Sequence, residues 1–398
     1  MISFPGRAKV SRIALLIGLA VVLGWIAITA VRVMRGASPQ GEMGKAENPD
    51  HPPANSPPTD SQESPKPSTP SSPADVDPAL IAQFETAADA FSQGVSPEAA
   101  RRKLKDLADA ANAIDPTIAA ASLIAFLDTG RDASTGLGFR VGDGGQLSDA
   151  PSLRVSALDL LGRTGSPNAV AYSTSVMDET PVADEYAVAL RNFAWGTENL
   201  TEVGNRFSDM LDRDEWLSKP SAGFMEAFDV AVAAGGAAMV LDVANTVLGP
   251  QDIPPGETAE LNRPAFIALD RLAMRDPAAV VAAFKADPEL LSWAPNQRAS
   301  VLSRADVTDP SQRQMLENYL LSTQHGDGEV AYFAEIFPNV NGIDGYRLVT
   351  IDAEIRNVQQ IDSATMTALA EWQADPRFSG LRPTLESIRL RLIRMGAK

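Results

Sequence analysis

Several groups of residues in this chain have types and spacings that could do chemistry. Carboxylates cluster at Asp178, Glu179, Asp184 and Glu185, and again at Asp212, Asp214 and Glu215, with Trp195 and Trp216 nearby. Two carboxyls flanking a bound sugar, one as acid and one as base or nucleophile, are the equipment of polysaccharide cleavage. Acidic residues also belong at helix starts, where they complement the helix dipole. Nothing in the spacing sets two carboxyls at the separation that catalysis needs, so the helix-start role is the expectation. The Gly-rich stretch Thr135–Ser148 (TGLGFRVGDGGQLS) invites phosphate, but it lacks the Gly-Lys-Ser/Thr ending of a P-loop. No strand–helix context supports a dinucleotide fingerprint either. An inter-helix loop or a small hairpin is expected there. Arg191 and Trp195 are four residues apart and share a helical face. Trp and Arg are enriched where protein partners are gripped, so this pair is the candidate binding site; an arginine stacked on its own tryptophan is the structural alternative.

Other chemistries are excluded by what the chain lacks. It has no cysteine, which removes disulfides, thiolate metal sites, iron–sulfur clusters and thiol catalysis. Its two histidines are His51, in a Pro-rich stretch, and His325, so a multi-His metal site is hard to build. No serine sits in a Gly-x-Ser-x-Gly setting. No catalytic residue, metal site or cofactor is assigned, although acidic loops retain the oxygen donors that calcium takes.

The elements that position these residues fall into segments. Residues 1–12 form a basic N-terminal segment carrying Arg7, Lys9 and Arg12. Ile13–Val31 (IALLIGLAVVLGWIAITAV) contains no charge, and Arg32 and Arg35 follow it. As a helix it spans about 28 Å, close to the hydrocarbon thickness of a bilayer. Signal-peptide apolar regions are shorter, and no A-x-A cleavage pattern is present. An uncleaved anchor over residues 13–35 is therefore expected, in contact with lipid through residues 13–31. The basic amino side biases the N-terminus to the cytoplasm. The expected location is a bacterial inner membrane, crossed once, with the C-terminal domain exported to the periplasm.

Residues 36–78 read as a linker. From Gly36 to Asp75 there is no Val, Ile, Leu, Phe, Tyr or Trp, while proline recurs from Pro39 to Pro73. Such a segment buries too little apolar surface to offset its ordering entropy, and its prolines favour an extended spacer. The first 78 residues hold 7 of the 34 basic and 7 of the 51 acidic side chains, so the net charge of −17 belongs to residues 79–398. An acidic body repels phosphate backbones, and no nucleic-acid partner is expected.

From Ala79 onward the apolar residues recur at helical spacing. Leu80, Phe84, Ala87 and Phe91 fall on one face, as do Leu104, Leu107, Ala111 and Ile114. Dipeptides that cap a helix and then start it punctuate the pattern: Ser96-Pro97, Asp115-Pro116, Ser166-Pro167, Thr180-Pro181, Asp276-Pro277, Asp287-Pro288, Asp309-Pro310 and Asp375-Pro376. The first side chain satisfies free amides of the opening turn, and proline there loses no hydrogen bond. Residues 224–248 predict a helix pair with its turn at Gly235-Gly236. Tyr346–Ile351 (YRLVTI) fits helix and strand alike. Arg382–Lys398 predicts a terminal helix with Leu385, Ile388 and Leu392 facing inward.

Residues 152–170 (SLRVSALDLLGRTGSPNAV) resemble a HEAT repeat: an apolar-Arg-x-x-Ala-Leu-x-x-Leu-Gly helix, a Gly-containing turn, then a Pro-started second helix. Tyr186–Trp195 (YAVALRNFAW) is similar to the opening helix of a following repeat. The resemblance covers about 45 residues. It implies an all-α, HEAT-like solenoid of stacked helix pairs over residues 79–398, because no single pair buries its own apolar face. In that reading Val155, Leu158 and Leu161 pack inward, and Gly162 and Gly165 let the chain reverse. It also implies a binding scaffold more often than an enzyme; joined to the anchor, the expectation is a membrane-anchored, non-enzymatic scaffold or adaptor that engages a protein partner at the cell envelope. The alternative is a helical polysaccharide-active hydrolase or lyase.

Overall fold

The computed structural model describes residues 76–247, 259–350 and 357–396. The basic segment, the anchor over 13–35 and linker residues 36–75 lie outside the described residues. Among the described residues the chain is all-α apart from one two-stranded hairpin. No helix there is long and apolar enough to cross a membrane.

The helical body begins at Pro78, one residue before the expected boundary. Asp77 accepts from the amides of Ala79 and Leu80, and Pro78 occupies the first turn. The same device operates at Ser96, Asp115, Ser166, Asp276 and Asp309, each of which accepts from an amide of the helix that its proline starts. Asp375-Pro376 opens a tighter turn, the 3-10 segment Pro376–Leu381. The two remaining dipeptides start no helix. Thr180 ends the preceding helix, and its hydroxyl donates to Glu185. Asp287 ends a helix and turns the chain instead, accepting from the amide of Glu289.

The order is α1 (Pro78–Ser92), α2 (Pro97–Asn112) and α3 (Pro116–Asp128), then the hairpin of β1 (Arg140–Val141) and β2 (Leu147–Asp149), antiparallel with Arg140 opposite Asp149. Helices α4 (Leu153–Arg163), α5 (Pro167–Glu179), α6 (Ala183–Gly196) and α7 (Leu200–Leu211) follow. Four short helices come next: α8 (Asp214–Ser218), α9 (Ala222–Glu226), α10 (Asp229–Ala234) and α11 (Gly236–Asp242). The described chain continues through α12 (Ala259–Arg275), α13 (Pro277–Ala286), α14 (Pro295–Ser303), α15 (Pro310–Leu321), α16 (Glu329–Ile336), α17 (Val358–Ala374) and α18 (Arg382–Met395).

The packing is sequential. Some helices pack on their immediate neighbours, as α5 on α6 and α17 on α18, many on the next but one, and α9 and α10 on α6 and α7, three positions back. The second kind joins α1 with α3, α4 with α6, α11 with α13, α12 with α14, α13 with α15, α14 with α16 and α16 with α18. One continuous apolar core results, running from Leu80 in α1 to Leu392 in α18. The terminal helix buries Leu385, Ile388 and Leu392, the stripe read from the sequence.

The helix–turn–helix expected over 152–170 forms as α4 and α5, and Val155, Leu158 and Leu161 are buried. Gly165 turns the chain with φ +64, a conformation that costs glycine little. Gly162 has a different role from the one expected. It lies inside α4, where a Cβ would fall 1.9 Å from Oδ1 of Asn192, so its missing side chain lets α4 and α6 approach. Leu158 has no exposed surface. Leu158→Ala should therefore cost about 2–5 kcal/mol in denaturant unfolding, from lost transfer energy plus the cavity left behind. A change below about 0.5 kcal/mol would mean that the inward register is wrong.

Candidate interaction site

The hairpin, the end of α4 and the end of α6 converge beside Trp195. A shallow cleft of about 440 Å³ forms there, lined by Asn112, Gly144, Gln146, Arg163 and Trp195 together with Gly162 and Gly165. Trp195 is 37% exposed, which leaves part of its ring free for a ligand. The rest of the ring is fixed. The Arg191 guanidinium stacks on it at 4.3 Å. The indole N–H donates to the carbonyl of Val349 at 3.3 Å. A Cβ on Gly145 would meet the ring at 2.8 Å and the carbonyl oxygen of Leu348 at 2.5 Å, so only glycine fits between them.

Arg191 itself presents nothing to a partner, because it has no exposed surface. The shared helical face read from the sequence is a buried one at this position, and the structural alternative describes it. Its guanidinium donates to Asp159 Oδ1 at 2.6 Å, to the carbonyl of Gly145 at 2.8 Å and to Oδ1 of Asn192 at 2.8 Å. Asp159 also accepts from the amide of Leu147 at 3.0 Å, and Arg163 lies 3.8 Å away. One buried ion pair thus fixes the hairpin to α4 and α6 and seats the ring of Trp195. Burial pulls the Arg191 pKa down, while the facing Asp159 carboxylate pulls it up. Arginine keeps its charge through such shifts. The Gly-rich stretch is the hairpin expected as one of its two readings, and its backbone serves this pair.

A second buried ion pair escaped the sequence reading. Asp229 at the start of α10 and Arg271 in α12 pair at 2.5 Å with both side chains fully buried. They hold a segment with no regular structure, residues 343–350, which includes most of the stretch that fits helix and strand alike. Asp229 accepts from the amides of Val349 and Thr350 at 2.7 and 2.8 Å and from the Thr350 hydroxyl at 2.5 Å. Arg271 donates to the Tyr346 carbonyl at 2.6 Å and to the Thr350 hydroxyl. Beside them, burial and the Asp229 charge push the Glu226 carboxyl up to about 7. A signal was present in the sequence: a lone carboxylate among Ala227, Phe228, Val230 and Ala231 needs a buried cation.

The clustered carboxylates divide. Glu179 and Glu185 line one polar cleft of about 520 Å³ with Asp128, Arg154 and Tyr172. Both oxygens of Glu185 are engaged, one by Arg154 at 3.1 Å and the other by the Thr180 hydroxyl at 3.0 Å. Burial and the nearby Asp128 push the Tyr172 hydroxyl far up, which leaves it a neutral donor. Asp178 pairs with Arg206 at 2.5 Å, outside this cleft. Asp184 accepts from the Ser221 hydroxyl at 2.5 Å and the Gly223 amide at 2.9 Å. Asp214 and Glu215 fill the first turn of α8, the helix-start role expected of them. His325 approaches the Tyr319 carbonyl through Nε2 at 2.9 Å. No protein-family model, curated protein or solved structure matches this chain.

Proposed function

We propose that the body is a HEAT-like helical scaffold that holds a protein partner at a membrane, with the Trp195 cleft as its contact point. The recurrent packing of a helix on the next but one, in α1–α6 and again in α10–α18, supports this reading, because stacked helix pairs produce that order. The observation that carries the site is the fixed, part-exposed ring of Trp195. A rigid aromatic loses little entropy on contact, and such residues dominate binding energy. Arg191 acts through Trp195 and the hairpin. In the same proposal Ile13–Val31 anchors the chain in the bilayer of a bacterial inner membrane, the linker holds the body away from it, and the body lies in the periplasm. The cleft's open form and its amide and backbone groups suit a polypeptide; nucleic acid is disfavoured by the acidic body.

Crosslinking and capture from membranes, with the tagged full-length chain, tests this. Trp195→Ala should lower capture of the crosslinked partner at least 10-fold while the unfolding midpoint stays within a few degrees. Equal capture by the variant would remove Trp195 from the interface. Turnover of an envelope polysaccharide by the purified protein, stopped by Glu185→Gln without unfolding, would replace the scaffold with the hydrolase or lyase reading. The cleft shared by Glu179 and Glu185 is what keeps that reading worth testing.

A further inference from the structure

Helices α13, α14 and α15 enclose a cleft of about 540 Å³, within the usual range of small-molecule sites. Val281, Phe284, Leu302 and Met315 give it apolar walls, and exposed amides of Gln314 and Asn318 stand at its edge. Among the described residues, the charged members of its lining are Lys285 and Arg298. Both are cations, in a body whose net charge is strongly negative. Arg298 is 4% exposed. It donates to the carbonyls of Pro288 at 2.6 Å and Gln324 at 3.2 Å, and among the described residues its Nε has no acceptor within hydrogen-bonding distance. Glu329 lies behind it at 3.8 Å and balances its charge. The exposed charge in the lining is therefore that of Lys285.

We propose that this cleft binds a small amphipathic anion, an alkyl chain carrying one carboxylate, with the chain against Val281, Phe284, Leu302 and Met315 and the carboxylate at Lys285. Apolar walls of this extent bind a chain without regard to its head group. The cationic lining selects the head, because a like charge brought to Lys285 is repelled while a carboxylate is attracted. The site shares no residue with the Trp195 cleft and does not rest on the scaffold reading.

The test is calorimetric titration of the full-length protein with dodecanoate, dodecan-1-ol and dodecyltrimethylammonium, the two ions below their micelle concentrations and the alcohol below its solubility limit. Dodecanoate should bind at least 10-fold tighter than the trimethylammonium compound, with the alcohol between them. Lys285→Glu, at an exposed position that leaves the core intact, should reverse the order of the two charged probes. Met315→Trp, which fills the cleft, should weaken all three. Equal binding of the three probes, no detectable binding of dodecanoate, or an unchanged order in Lys285→Glu would overturn the proposal.

Discussion

Asp229→Ala should destabilise the folded chain by about 3–5 kcal/mol. Removing one member of a buried ion pair leaves the other charge in a low-dielectric interior without compensation. Arg271 would be that charge, since its side chain is fully buried against Asp229. The loss extends beyond the pair. Two backbone amides, of Val349 and Thr350, and one hydroxyl lose their shared acceptor. A buried donor left unsatisfied costs about 1–3 kcal/mol, more than a typical bond contributes when made. The segment 343–350 would lose its hold on α10 while keeping Arg271 of α12, and the loss loosens the Val349 carbonyl that receives the Trp195 indole N–H. Urea unfolding followed by helical circular dichroism measures this, with Thr350→Val as a milder companion that keeps the ion pair. A loss below about 1 kcal/mol for Asp229→Ala would mean that the pair is not buried as described. Replacing Asp229 and Arg271 together by apolar residues of similar volume should recover much of the stability, because the desolvation cost of both charges then disappears.

Arg191→Ala should also cost about 3–5 kcal/mol, for the same reason and at a site where the sequence suggested a surface contact. The variant strands Asp159, which then keeps the Leu147 amide and Arg163 at 3.8 Å. It also frees the Gly145 carbonyl and takes the guanidinium from beneath Trp195. Arg191→Lys should rescue little of this. A lysine ammonium has no planar fork with which to reach the Asp159 carboxylate, the Gly145 carbonyl and the Asn192 amide oxygen together. The contrast with Trp195→Ala is the informative part. There the stacking lost contributes about 0.5–2 kcal/mol, the cation being desolvated and the ring part-exposed. Unfolding in Arg191→Ala with a stable fold in Trp195→Ala separates the positioning residue from the contacting one. If Arg191→Ala unfolds at the same urea concentration as the unsubstituted protein, the buried pair does not carry the hairpin and α6.

Local features of the chain were readable because they depend on residues within a few positions of one another. A capping side chain and a proline act inside one turn. Six of the eight dipeptides start a turn or helix, and Asp77-Pro78 marks where the body begins. Apolar spacing placed Leu158 inward and Leu385, Ile388 and Leu392 against the core, because helical period alone decides which side chains share a face. Thr180-Pro181 and Asp287-Pro288 show the limit. The same dipeptide also suits a turn, and Thr180 was drawn to Glu185, five residues on, by a carboxylate that needed a second donor.

The sequence by itself therefore determined the all-α class, the start of the body, the helix pair over 152–170 and the absence of thiol chemistry. Only the tertiary structure decided which charged residues lie inside. Arg191 meets Asp159 across 32 positions, Arg271 meets Asp229 across 42, and Val349 meets Asp229 across 120. Arginine and aspartate are seldom fully buried, so composition assigns them to the surface until a partner is known. Gly162 makes the same point for a residue without a side chain. Its neighbours in sequence suggest a turn, yet it is required by Asn192, thirty positions away on the facing helix. Local sequence sets the period and ends of each helix through short-range hydrogen bonds. Partner choice between helices follows from how their apolar faces stack, and that stacking is a property of the whole chain.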